Sequence, residues 1–192
     1  MRLLYLAGIT YLALSVFALI RGPAVAFDPT GTVYLTTGDP SADGGTWFGQ
    51  ARAHCNTLEV ETIHRQMPPP TSLGGVGYSA ACWALAGRID EARSQILTLN
   101  GDDQWKAVGI VFAIGHPIAD MGDDRSAGPI MELVVEFWPN HYQALYHAGA
   151  ARFALGDFEA AEQHLREFLM YYDNDDGWTR SAKRMLGEIE SP

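Results

Sequence analysis

The spacing of apolar positions divides the chain into three regimes. Residues 3–20 form an unbroken apolar, uncharged run behind Met1 and Arg2, closed by Arg21, Gly22 and Pro23. Residues 27–46 follow no period and are rich in Gly, Pro, Asp, Ser and Thr, which reads as an extended arm or linker. Inside that arm, residues 32–37 suit a short strand, for which the sequence offers no evident partner. From Trp47 onward the period is helical. Residues 47–54 predict a short helix. A second is expected from Asn56 to about Met67, opened by a capping box of Asn56 and Glu59 and stopped by Pro68, Pro69 and Pro70. At the far end, residues 178–190 place Ala182, Met185, Leu186 and Ile189 on one face and Arg180, Lys183 and Arg184 on the other, an amphipathic helix.

Between these ends the pattern repeats. Three glycines that follow helical stretches, Gly87, Gly122 and Gly156, stand 35 and 34 residues apart. Five positions after each comes a small residue: Ala92, Ala127 and Ala161. Seven positions before each comes another: Ala80, Gly115 and Gly149. Four positions after the second-helix alanine comes a large apolar residue: Ile96, Met131 and Leu165. Small residues at matched positions let paired helices cross closely. Asp102 or Asp103 is expected to cap the first helix of the second unit, and Asn140, with Gln143 three residues on, that of the third. The middle unit is irregular. Pro117 falls late in its first helix, where it removes a hydrogen bond and kinks or ends the helix. Ser126 is expected to cap a short second helix at about 127–138, with Pro129 tolerated near its start.

The residues of 141–169 carry this pattern most regularly, with Ala144, Leu145, Gly149, Gly156, Asp157, Phe158, Ala161, Leu165 and Phe168. They resemble the tetratricopeptide repeat, a helix–turn–helix unit of about 34 residues. Pro139 sits where that family often ends a repeat. The implied fold is all-α, a right-handed α-α superhelix with repeats at about 73–107, 108–141 and 142–175. A C-terminal capping helix at 178–190 would cover its last face, and a helical segment at 47–72 would precede it.

The resemblance also implies a groove lined by the first helices. Carried over by position, repeat one offers only Gly74, Gly77, Ala81, Ala84 and Leu85. Repeats two and three offer Phe112, His116 and Asp120, then Gln143, Tyr146 and Phe153. Family members that grip the carboxylate end of chaperone peptides carry Lys, Asn and Arg at positions held here by Gly77, Ala81, Ala113, Gln143 and His147, so that clamp is absent. The groove suits an apolar helix or extended peptide, or the chain's own arm or cap folded back into it.

Composition adjusts this picture. An apolar fraction of 47% with 19% charged residues belongs to a folded chain, and 192 residues suit one domain plus extras. A formal charge of −10 argues against nucleic acid and anionic membrane surfaces as partners. The positive start, the apolar run and the small residues Ala24 and Ala26 read as a signal peptide cleaved after Ala26. The alternative is an uncleaved membrane anchor, since residues 3–20 lie at the short edge of a span. Both place the body outside the cytoplasm, the bacterial periplasm first, and membrane association follows only if residues 1–26 are retained. No Cys follows the run, which argues against a lipid anchor there.

Two constellations carry chemistry. His116, Asp120, Asp123 and Asp124 offer an imidazole and three carboxylates, a permissible metal set without the spacing of an EF-hand. The plainer account is that the aspartates cap a helix and His116 bonds the carbonyl freed by Pro117. Cys55 and Cys82 would close a disulfide in an oxidising compartment; otherwise they are buried thiols. Gly74, Gly75 and Gly77 read as a loop, and no nucleophile motif or phosphate loop stands out. The preferred reading is a non-enzymatic, cofactor-free scaffold or adaptor for a protein or peptide partner, active in assembly of an envelope complex. A structural subunit of a membrane complex, and a metal-binding or enzymatic protein using residues 116–124, are the alternatives.

Overall fold

The structure is a computed structural model that describes residues 25–27, 33–35 and 42–191. The signal or anchor segment expected at 1–26 lies outside the described residues, apart from its last two. β1 (Val25–Phe27) and β2 (Val33–Leu35) pair antiparallel, with Ala26 opposite Tyr34. The strand expected within 32–37 is therefore real but three residues long, and its partner straddles the expected cleavage point. From Ala42 on, every regular element is helical.

The helical body starts inside the expected arm. α1 spans Ala42–Ala51, extended by a single 3-10 turn at Arg52–His54. Glycines at 44 and 45 argue for linker, but tertiary contact overrides propensity. A Cβ on Gly44 would lie 2.4 Å from the backbone of Gly74, so α1 and α3 (Leu73–Leu85) touch main chain to main chain. Trp47 donates its indole N–H to Met67 O at 2.7 Å, and Phe48 lies 5.3 Å from Tyr78. The expected capping box forms only in half: Asn56 Oδ1 accepts from the amides of Leu58 and Glu59, but Glu59 Oε2 accepts from the Asn56 side-chain amide at 2.8 Å and not from its backbone N–H, and the helix itself starts after Glu59. α2 (Val60–Gln66) follows one turn later. Cys55 and Cys82 are joined in a disulfide with Cα atoms 4.8 Å apart, and His64 stacks on Trp83 at 4.5 Å. These links hold α1 and α2 against α3. The Gly74, Gly75 and Gly77 cluster, expected as a loop, is the buried start of α3, and Ser72 Oγ caps it through Gly75 N.

Three helix pairs follow: α3 with α4 (Ile89–Ile96), α5 (Gly101–Asp120) with α6 (Asp124–Phe137), and α7 (Tyr142–Leu155) with α8 (Phe158–Tyr171). Each pair turns on an aligned glycine, and Gly87, Gly122 and Gly156 have φ of 73°, 84° and 77°. Among the described residues no other position has positive φ, the conformation that costs a side chain most. The aligned residues are core: Ala80, Ala92, Ala127, Ala161, Ile96, Met131 and Leu165 are all fully buried. At Gly149 a Cβ would come within 2.7 Å of Leu165, which is why that position is small. Neighbouring pairs pack in series, α3 on α5 and α6 on α7, and α9 (Gly177–Glu190) covers α8 and α7 with Ala182, Met185 and Leu186. Val135 packs against both halves of the core. Among the described residues no helix is long and apolar enough to cross a membrane.

Helix starts differ from expectation. α5 begins after Asn100, whose side chain makes no capping bond, and Asp103 instead pairs with Lys106. α6 is capped by Asp123, whose Oδ1 accepts from Ser126 N at 3.1 Å, so it starts three residues before the expected 127 and holds Pro129 in its interior. α7 is capped by the His141 ring, not Asn140, through Ala144 N at 3.3 Å. α5 runs past Pro117 to Asp120.

Candidate functional site

Phe112, His116 and Asp120 are spaced four residues apart on α5 and so share one face. That face meets the start of α7, which presents Tyr146 and His147. The α6–α7 connection adds Trp138 and His141, and the first turn of α9 adds Trp178. The rings form a continuous run. Centroids lie 4.7 Å apart for Trp105–Trp138, 4.5 Å for Trp138–His141, 4.1 Å for His141–Phe112 and 4.7 Å for Phe112–His116. The run continues through His116–His147 at 5.1 Å, His147–Trp178 at 5.3 Å and Trp178–Tyr146 at 4.8 Å. Tyr142 branches from His141 onto Tyr172, stacked at 4.7 Å. Exposure varies among the rings: Trp105 is 45% exposed and the branching Tyr142 37%, whereas His141 and His147 are buried, His147 at 4%.

Its inner end is polar and acidic. His147 Nδ1 lies 3.1 Å from Asp124 Oδ1; because a carboxylate only accepts, the ring donates there. His147 Nε2 then faces Asp120 Oδ1 at 3.7 Å, within ion-pair range and beyond hydrogen-bond reach, and it has no hydrogen-bond partner among the described residues. His116 Nδ1 lies 3.4 Å from Asp120 Oδ2. Burial pushes the His116 pKa down, opposed by Asp120 and reinforced by His147. Burial likewise lowers His141. Asp123 is held below the usual carboxylate range by its Ser126 hydrogen bonds.

Of the six groove residues expected from the repeat, Phe112, His116, Asp120 and Tyr146 come together here. Gln143 is half-buried on the same helix, and Phe153 turns to Phe158 at 5.7 Å by the α7–α8 turn. The small positions of the first unit offer no open groove: Gly74, Gly77, Ala81 and Ala84 are buried, Gly77 beneath Ile110 of α5. Among the four acidic-cluster residues, His116, Asp120 and Asp124 converge, while Asp123 is committed to capping. His116 makes no bond to the carbonyl freed by Pro117; its Nδ1 turns to Asp120 and its Nε2 has no partner among the described residues. Sequence reasoning missed His147 as a member of this cluster. One signal was available: His116 stands six residues before its turn glycine and His147 nine before its own, one helical turn apart on first helices. Comparison with protein-family models, curated proteins and solved structures finds no match to this chain.

Proposed function

We propose that this protein is an extracytoplasmic scaffold of the tetratricopeptide-repeat type, a right-handed superhelix of helix pairs that holds an apolar helix or extended segment of a partner protein, in assembly of an envelope complex. The observation that carries the reading is the ring run from Trp105 to Trp178. It is laid along the face of α5 and α7, and its outer members Trp105 and Tyr142 are open to solvent. Rigid aromatic rings give large contact area at low conformational cost. Three turn glycines 35 and 34 residues apart support the repeat assignment. The Cys55–Cys82 disulfide fits an oxidising compartment.

The test is site-dependent crosslinking. A photoreactive residue at 105 or 142 should give the same discrete adduct in native envelopes, and one at exposed Met170 on α8 should not. Trp105→Ala and Tyr142→Ala should each weaken partner capture about tenfold or more, as for loss of an interface hot spot, with unchanged circular dichroism. Capture that is undiminished in both variants would refute the proposal.

A further inference from the structure

The inner end of the ring run has a geometry that aromatic recognition does not require. Two imidazoles and a carboxylate bring one donor atom each within 4.8 Å of one another: His116, Asp120 and His147. The geometry points to a divalent transition-metal site of the zinc class, with these three side chains as ligands and Asp124 as the carboxylate that orients His147. The site is independent of whether a partner occupies the aromatic face.

Three observations carry it. The first is His147 itself. It is 4% exposed, its Nδ1 is engaged by Asp124 Oδ1 at 3.1 Å, and its Nε2 has no hydrogen-bond partner among the described residues while facing Asp120. A histidine that ligates through one nitrogen and donates from the other to a carboxylate is the usual arrangement of a metal-bound imidazole. It also fixes the tautomer that leaves Nε2 with a lone pair. Two lone-pair groups, Nε2 and Asp120 Oδ1, then face each other at 3.7 Å, which is unfavourable unless a cation lies between them.

The second is spacing. Ligands on tetrahedral zinc at bond lengths of about 2.0–2.1 Å are about 3.4 Å apart. His116 Nδ1 lies 3.4 Å from Asp120 Oδ2 and His147 Nε2 3.7 Å from Asp120 Oδ1, while the donor set as a whole lies within 4.8 Å, so the two imidazoles draw together on binding and Asp120 either turns one oxygen to both or binds through its two oxygens. His116 and Asp120 are four residues apart on α5, the spacing that puts two ligands on one helical face. The third is field. Asp120 is the last residue of a 20-residue helix, whose negative end favours a cation, and two carboxylates beside two imidazoles supply the charge that a divalent ion neutralises. Two histidines with a carboxylate, and the half-exposed Asp120 at the mouth, leave a coordination position for water or a partner's side chain.

The competing account puts a proton where the metal would be: His147 is an imidazolium held between Asp120 and Asp124. The experiment separates them. The full chain, purified without a histidine tag and stripped with chelator, is titrated with Zn²⁺ by calorimetry and with Co²⁺ by visible absorption. One saturable equivalent of each is expected, with the intense d–d bands of a low-coordinate cobalt site. Asp124→Asn should weaken Zn²⁺ binding by about 10- to 100-fold, as loss of an orienting carboxylate does. His116→Gln and Asp120→Asn should each abolish stoichiometric binding. Because Asp120 is half-exposed, Asp120→Asn keeps the test informative if His116→Gln impairs folding. A wild-type chain that binds neither ion saturably, or binding that survives both ligand substitutions, overturns the site.

Discussion

A methyl group decides how closely two of these helices can approach. Gly115 sits on α5 where a Cβ would come 2.7 Å from Ile130 Cγ2 and 3.1 Å from Met131 Cε. Gly187 sits in α9 with nothing within 4 Å. Replacing helical Gly by Ala gains about 0.5–1 kcal/mol from reduced unfolded-state freedom, whereas overpacking costs about 1–3 kcal/mol. Gly187→Ala should therefore raise the urea midpoint and Gly115→Ala should lower it, at unchanged m-value. Equal shifts would mean that α5 and α6 are not in contact at that point. This position was legible in the sequence because it recurs with Ala80 and Gly149 at the same distance from a turn glycine. His147 was not legible in the same way. It stands among buried alanines, and its relation to His116 exists only once α5 and α7 are packed. Its neighbour Asp124, which His147 contacts at 3.1 Å, reads from sequence as one more carboxylate at a helix start.

Helices were legible where their pattern repeats and obscure where tertiary contact alone defines them. The pairs from Leu73 to Tyr171 announce themselves by period, but their caps do not. Runs such as Asp102–Asp103, Asp123–Asp124 and Asn140–His141 offer several acceptors, and the backbone path chooses among them. α1 was obscured by its glycines, which look like linker and serve as contact surface against α3. The N-terminal helices share the core of the first pairs through Trp47, Phe48, Ala51 and Val60 and add covalent and aromatic ties to it. The disulfide spans 27 residues, and the chain-entropy account assigns such a closure about 3.5 kcal/mol. Replacing both Cys55 and Cys82 by Ala should lower the unfolding free energy by about that amount, measured in urea. Hydrogen exchange should rise first in α1 and α2, with α7 to α9 retaining protection. Protection lost uniformly would show that the N-terminal segment and the helix pairs unfold as one unit.

Across the molecule, four histidines share one response to acid: His116 of the acidic cluster, and three that stand outside that cluster. His64 lies between Trp47 and Trp83, with Nδ1 on Val60 O at 2.8 Å and Nε2 on Ser79 Oγ at 3.0 Å, so a single neutral tautomer satisfies both contacts. His141 accepts from Ala144 N through Nδ1, which protonation there would break. His164 is half-buried on α8, with its Nδ1 enclosed and lacking a partner among the described residues. Burial is the leading cause in each case, and each pKa is lowered from the ordinary histidine value. The unfolded chain therefore binds more protons than the folded one in this range, and stability rises with pH. The contribution is fully present above the unfolded value of about 6.5 and is lost as pH falls from there toward the folded values. Glu59, Asp123 and Asp176, all lowered by hydrogen bonds, act with the same sign at more acid pH, below the unfolded carboxylate range of about 4. Urea midpoints measured in chelator at pH 8, 7, 6 and 5 should be level between the first two and fall between the last two. His141→Asn retains a good capping acceptor and removes one titrating ring, so it should flatten the fall between pH 6 and 5. A profile as steep as that of the wild type would take His141 out of the acid response and leave it to His64, His116 and His164.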